Sequence, residues 1–407
     1  MSSQFARSLA RHLEQLVIGP PLYEPQGHLP GMVAYPVFPG ALDPDPPELV
    51  TLSEALRRGL RVRDMGLVSR IHVDNPLPVA VLAGESEVLL GPTQGRAVQF
   101  SCLLPPQRRS SLPVSCVQEG RPTEHLAEFA DSDACPWSVR TAKLTQMALH
   151  GEPQQYWLWD RIASYLQETG THSPSHDLHA VLERYGPLLQ RLGEAFPCFP
   201  GQVGVICAVG HEVFLELFGD PEILEDRYPL VLRSALVEAV ARPADVVPPP
   251  EQVPVFLQQV VAASQESRLL DARSLKTEGR PLVFASPTVA GSALVAHGRL
   301  VHLAARQQCP GISRPAELLQ GELEALAARW TAVRGNPAEL LQAAYAPRRA
   351  RYQAHKDRLR PAGDPVAPAP RAEPPAPGPA EPGTPPTRPL PLSQPLYAFF
   401  LRLFSRG

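Results

Sequence analysis

Residues 84–121 of this 407-residue chain form its densest run of polar and glycine residues. The run opens with Gly84-Glu85, Gly91, Gln94 and Arg96. It continues through Pro113-Val-Ser115-Cys116-Val and closes on Gln118-Glu119-Gly120-Arg121. These residue types suit one kind of chemistry. Arg96 and Arg121 carry planar guanidinium groups that match a phosphate or carboxylate through two parallel bonds. Glu85 and Glu119 can accept ribose hydroxyls or activate water as general bases. Gln94 can orient a base or an amide, and Ser115 adds a hydroxyl. Gly84, Gly91 and Gly120 let backbone approach a ligand closely. The set suits a nucleotide, with Glu85 and Glu119 as catalytic candidates and Gln94, Arg96, Ser115 and Arg121 as ligand-binding ones. A second reading stays open beside it. Glu85–Arg96 and Glu119–Arg121 can be internal ion pairs that organise a sheet, because buried charges must be paired.

Other constellations carry less. His172, His176 and His179 lie near Asp177, but only His176 and His179 share a helix face and no further metal ligand is identifiable. Asp177 suits the start of a helix. Cys116 as a nucleophile needs a neighbouring base that the sequence does not supply. Tyr156, Trp157 and Trp159 read as core or rim packing rather than as a stacking platform. There is no phosphate-loop signature and no Gly-x-Gly-x-x-Gly. No metal or cofactor is expected.

Composition narrows the class. Lys+Arg 38 against Asp+Glu 41 gives a net charge of -3, which argues against a nucleic-acid binder working by bulk charge. No run approaches the ~18 apolar residues of a membrane span, and the first 16 residues lack a signal-peptide core. The six cysteines include no CxxC pair, so they fit neither a zinc site nor a disulfide framework. A cytoplasmic protein with reduced thiols is expected. Proline is the outlier, at 49 of 407.

The elements that must position these residues follow from periodicity. Phe5, Leu9, Leu13 and Leu16 mark an amphipathic helix over 1–16. Met32–Phe38 reads as an edge strand, because Pro36 cannot donate to a ladder. Thr51-Leu-Ser-Glu54 is a capping box that starts a short helix. Apolar runs at Leu67–Val73, Leu77–Ala83, Val88–Leu90, Val98–Leu104 and Leu112–Val117, divided by turn residues, predict an antiparallel sheet or sandwich. Helices follow at 137–168 and 176–195. A hairpin turns at Gly210-His211, and Asp220-Pro221 starts a further helix. Another helix spans 251–270, then strands at 282–285, 293–296 and 300–304. A helical pair is expected over 315–357. The basic run Arg348, Arg349, Arg351, Lys356, Arg358 and Arg360 reads as a solvated face near a helix C-terminus.

Residues 361–395 hold 14 prolines and read as an extended, disordered spacer. The last twelve residues, 396–407, include seven large apolar or aromatic ones and read as a docking peptide for the chain itself or a protein partner, with a membrane surface as the third and weakest alternative because Arg402 and Arg406 are too few cations to anchor it.

The Gln94-x-Arg96 and Pro113-Val-Ser-Cys-Val117 motifs resemble the ARPP domain family, named for association with ADP-ribosylglycohydrolases and rhodanese/phosphatase-superfamily proteins. Leu52-Ser-Glu-Ala-Leu56 with Gly59, Val203-Gly-Val with Phe214 and Leu217-Phe-Gly219, and Gly291-Ser-Ala-Leu with His302-Leu303 extend the resemblance over about 15–306. Gln118-Glu119 departs from the family order, in which the acid comes first, and Pro122 replaces a tryptophan. The resemblance implies a ligand from NAD or ADP-ribose metabolism. The resulting expectation is an α+β protein: an antiparallel, strand-rich core with packed helices over 1–310, a helical pair over 311–360, a disordered spacer over 361–395 and a docking peptide over 396–407. Its function is to bind or process an ADP-ribose-like nucleotide, or else to recruit partners through its tail without catalysis. No nucleic-acid or membrane partner is expected.

Overall fold

The computed structural model describes residues 2–42, 48–91, 94–120, 128–247, 249–308 and 337–359. The chain divides into a unit of residues 1–362 and a second of 363–407. All described residues belong to the first. The spacer, the 396–407 peptide and the first member of the expected helical pair lie outside them. The fold is α+β, as the short alternating strands imply.

The N-terminal part contains α1 (Ser2–Glu14), β1 (Leu16–Ile18), β2 (Met32–Pro39), β3 (Leu49–Thr51), α2 (Leu52–Arg57), β4 (Arg61–Arg63), β5 (Arg70–Asn75) and β6 (Ala80–Ala83). Next come β7 (Glu87–Leu90), β8 (Arg96–Val98), β9 (Cys102–Leu104), β10 (Arg108–Cys116), β11 (Glu128–Phe129) and β12 (Asp131–Ala134). Three helices follow: α3 (Trp137–His150), α4 (Gln155–Glu168) and α5 (His179–Gly193). The hairpin β13 (Gly204–Val209) and β14 (Glu212–Phe218) leads into α6 (Pro221–Ala241) and α7 (Gln252–Ser264). The remainder is β15 (Arg268–Leu269), β16 (Arg280–Ala285), β17 (Val289–Ala296), β18 (Arg299–Gln307) and α8 (Pro337–Arg358).

Eight strands form a large sheet in the order β1-β2-β13-β14-β18-β17-β16-β15. Period-two alternation splits its side chains between two cores. On β13, Ile206 and Ala208 pack with Leu9 and Leu13 of α1 and Phe256 and Val260 of α7. Val205, Cys207 and Val209 pack on the opposite side with α3, α5 and α6. The sheet is therefore covered on both faces. The seven-stranded sheet β11-β4-β5-β10-β8-β7-β12 and the three-stranded sheet β3-β6-β9 enclose a third core, which includes Val73, Val81, Leu104 and Val114. Among described residues, every strand pair is antiparallel except β3–β6.

Turn chemistry follows the sequence. Val209 faces Glu212 across a two-residue loop, and Gly210 supplies the required positive φ of +56°. Thr51 caps α2 by accepting the Glu54 N–H at 3.3 Å. The Glu54 carboxylate does not return to the cap; it is held by Arg57 and Arg58.

Two expectations are corrected. β2 is not an edge strand: β1 flanks one side and β13 the other. Pro36 is tolerated because its carbonyl accepts from Gly19 on the β1 side. A residue's N–H and C=O in a hydrogen-bonded antiparallel pair face the same neighbour. The missing donor thus falls beyond the end of the three-residue β1, not on the continuous β13 side. The basic run of α8 is a solvated face only in part: Arg349, Arg351 and Arg358 are exposed, whereas Arg348 and Lys356 turn inward. Arg348 is buried, with Nε 2.6 Å from Glu222 Oε1 and Nη2 2.6 Å from Asp220 Oδ1. Lys356 Nζ lies 2.8 Å from Asp226 Oδ1, and the Tyr345 and Tyr352 hydroxyls donate to Glu225 and Asp226. The cause is the carboxylate-rich first two turns of α6, which α8 covers.

Candidate functional site

The residues singled out in 84–121 do not gather at one opening. Glu85 lies in the β6–β7 turn and is fully buried. Its carboxylate is held by two cations of α3, with Arg140 Nη2 at 2.8 Å and Lys143 Nζ at 2.6 Å. Burial pushes this carboxyl up, but Lys143 and Arg140 outweigh burial and hold it below the usual carboxylate range. Arg96, on β8, is also fully buried. Its Nη2 meets Asp64 Oδ2 at 2.7 Å, and its Nη1 donates to Val68 O at 3.3 Å and to Cys116 Sγ. Gln94 Nε2 donates to Gln118 O at 3.2 Å, and Ser115 Oγ accepts from Gln99 at 3.3 Å. Glu119 is half-exposed and meets His176 Nδ1 at 2.5 Å. Arg121 lies outside the described residues.

Gln94 and Arg96 meet at Cys116 Sγ, while Glu85, Ser115 and Glu119 lie apart from them, and Glu85 pairs with Arg140 and Lys143 rather than with Arg96. Their partners come from distant segments: Asp64, His176, and the i, i+3 cations of α3. Gly84 and Gly91 serve internal fits, while Gly120 has open space around it and a positive φ of +78°. A Cβ on Gly84 would fall 2.9 Å from Nη2 of Arg227.

What the strands do bring together is a buried charged relay. On β14, Phe214, Glu216 and Phe218 share the face toward α3. Register sets Phe214 opposite Arg306 and Phe218 opposite His302 on β18. Glu216, between them, reaches Arg140 Nη1 at 2.8 Å and His302 Nε2 at 2.9 Å. His302 Nδ1 lies 2.6 Å from Ser101 Oγ, which accepts the Glu85 N–H at 2.8 Å. Burial raises the Glu216 carboxyl, but Arg140 and the His302 bond dominate and bring it to about 2. The serine–histidine–carboxylate order is that of a hydrolytic triad, but all three side chains are buried. Here it ties β18 and β14 to the small-sheet layer. Burial also pushes the Cys102, Cys135, Cys198 and Cys207 thiols up to about 12, so they behave as small core residues.

Open, polar space lies on the outer side of this relay. Ser138, Thr141 and Thr145 form an i, i+3, i+7 stripe on α3, facing Trp157, Arg161 and Ser164 of α4. Between the stripes is a cleft of about 480 Å³, within the range of small-molecule sites. Its floor holds Glu212 at the start of β14, Arg306 at the end of β18 and Arg242 just beyond α6. Arg306 lies over the Phe214 ring, 5.2 Å from its centroid, and Nη1 meets Thr141 Oγ1 at 3.3 Å. Trp157 is 52% exposed at the lip, edge-on to the exposed Tyr156. The sequence reads these aromatics as core or rim packing; Tyr156 and Trp157 lie at the rim, and the rest of the cleft was missed. The available signals were Glu216 at an inward strand position and small hydroxyl residues at helical spacing on α3.

A family model described as ARPP-1, the ARG and Rhodanese-Phosphatase-superfamily-associated Protein domain, matches residues 22–306. The chain belongs to the ARPP-1 family. The ARPP-1 match takes in the relay, and Arg306 is its last residue. It leaves α1 and α8 outside. No curated protein and no solved structure matches the chain. Among described residues, no helix is long and apolar enough to cross a membrane, and no cluster of three or more His, Cys, Asp or Glu residues could hold a metal ion.

Proposed function

We propose that this ARPP-1 domain binds a phosphate-bearing, base-containing small molecule of the NAD or ADP-ribose class in the cleft between α3 and α4. The observation that carries the reading is Arg242 and Arg306 side by side on the floor of a cleft with an exposed tryptophan at its lip. Guanidinium groups suit a phosphate. An aromatic face suits a base, since stacking contributes about 1–3 kcal/mol per base. Thr141, Thr145 and Ser164 supply hydroxyls for a sugar. The family description, which associates the domain with ARG and with the rhodanese-phosphatase superfamily, is in keeping with this reading. Glu85 is buried against Lys143 and Arg140 and does not line the cleft, so the reading is one of binding.

The test is a thermal-shift series with ADP-ribose, NAD, AMP and adenosine. A ligand at ~100 times its Kd adds about 2.7 kcal/mol of stability. A shift with a phosphorylated nucleotide that is lost in Trp157→Ala supports the site. Trp157 is exposed enough for its removal to leave the fold intact. No shift with any compound at millimolar concentration overturns it.

A further inference from the structure

The floor of the cleft has a feature that the binding reading alone does not require. A single carboxylate oxygen, Glu212 Oε2, takes Nη2 from both arginines, at 3.4 Å from Arg242 and closer to Arg306. Arg242 also bonds Glu238, so the two guanidinium groups already face two carboxylates. An incoming phosphate meets no net positive charge while both carboxylates stay. The two are not equally held. Glu238 is fully buried and accepts the Ser138 N–H at 2.5 Å, which fixes it at the N-terminus of α3. Glu212 follows the Gly210-His211 turn, and its side chain is 28% exposed. It can swing to solvent. The Nε donors of Arg242 and Arg306 have no hydrogen-bond partner among described residues. Departure of Glu212 would free the Nη2 donors of both arginines for a phosphate, which has more acceptor oxygens.

Resting on the cleft reading, we propose that Glu212 is a built-in competitor for the ligand's phosphate. It holds Arg242 and Arg306 together and is displaced when a phosphate dianion enters. The site then selects ligands by phosphate charge, and it pays no cost of leaving two guanidinium groups facing each other unneutralised.

The experiment compares wild type, Glu212→Gln and Glu212→Ala by calorimetry with inorganic phosphate, AMP, ADP-ribose and adenosine. Circular dichroism confirms that each variant is folded. Removing the competing charge should tighten phosphate and AMP binding by about tenfold or more in both variants and leave any adenosine binding unchanged. Inorganic phosphate alone reports the subsite; AMP and ADP-ribose report the phosphate within a nucleotide. Equal or weaker AMP binding in both folded variants, with wild-type binding still dependent on Trp157, overturns the exchange and keeps the cleft. Binding that appears only in the variants supports the exchange. No binding by any protein removes the cleft reading, and the exchange with it.

Discussion

Glu216→Gln is the sharpest probe of the buried relay. The cluster sets Arg140 and Lys143 against Glu85 and Glu216, two cations on two carboxylates, His302 aside. The substitution keeps the side-chain shape but leaves one buried positive charge in excess. Breaking a buried pair on one side costs about 3–5 kcal/mol. That is a large part of the ~5–15 kcal/mol that holds a domain together. Adding Arg140→Met restores the balance, with Lys143 remaining on Glu85, so the double variant should be more stable than the single one by about 1 kcal/mol or more. Urea unfolding followed by tryptophan fluorescence at neutral pH reads both. Acid provides a second arm. Glu216 falls from an ordinary 4.5 to about 2 in the fold. Its contribution is therefore complete above about pH 4.5 and is lost as pH falls toward 2, by roughly 3 kcal/mol. Glu216→Gln should remove that share of the acid sensitivity. A single-variant cost below about 1 kcal/mol, together with a double variant less stable than the single, would refute the charge-balance argument.

Two further outcomes follow from the geometry. Arg348→Ala removes bonds to Asp220 and Glu222, each charge-assisted bond contributing about 1.5–3 kcal/mol, so amides of 337–359 should exchange with deuterium at least tenfold faster. Unchanged protection there would mean that α8 is held by something else. Asp64→Asn leaves the buried Arg96 guanidinium without its carboxylate and should lower the melting temperature by several degrees. Any ligand-induced shift should keep its size, because Arg96 is structural; loss of the shift would return Arg96 to the binding site.

Local chemistry was legible in the sequence, and distant pairing was not. The Gly210-His211 hairpin, the Thr51 cap and the helix after Asp220-Pro221 are decided within a few residues, and each formed. Even there the side-chain partners changed. The Asp220 carboxylate makes no capping bond and instead meets Arg348. The 84–121 run looked like a ligand site because its charges were visible and their partners were not. Arg140 lies 55 positions from Glu85, and Asp64 lies 32 from Arg96. The cleft escaped notice for the converse reason. Ser138, Thr141 and Thr145 are ordinary helix residues until α4 packs opposite them, and Arg306 has no acidic neighbour in sequence.

The relay also sets a timetable for the newborn chain. Ser101 and His302 stand 201 positions apart. At about 5–20 residues per second, roughly 10–40 s of synthesis separate them. Glu85 precedes that interval, and Arg140 and Lys143, then Glu216, and last His302 are added within it. The small sheets and α3 wait for Glu216 to balance their cations and for His302 to close the bonds to Ser101 and Glu216, so the N-terminal half reaches its final packing only when β18 arrives. The last strand of the family domain is thus the step that commits the rest.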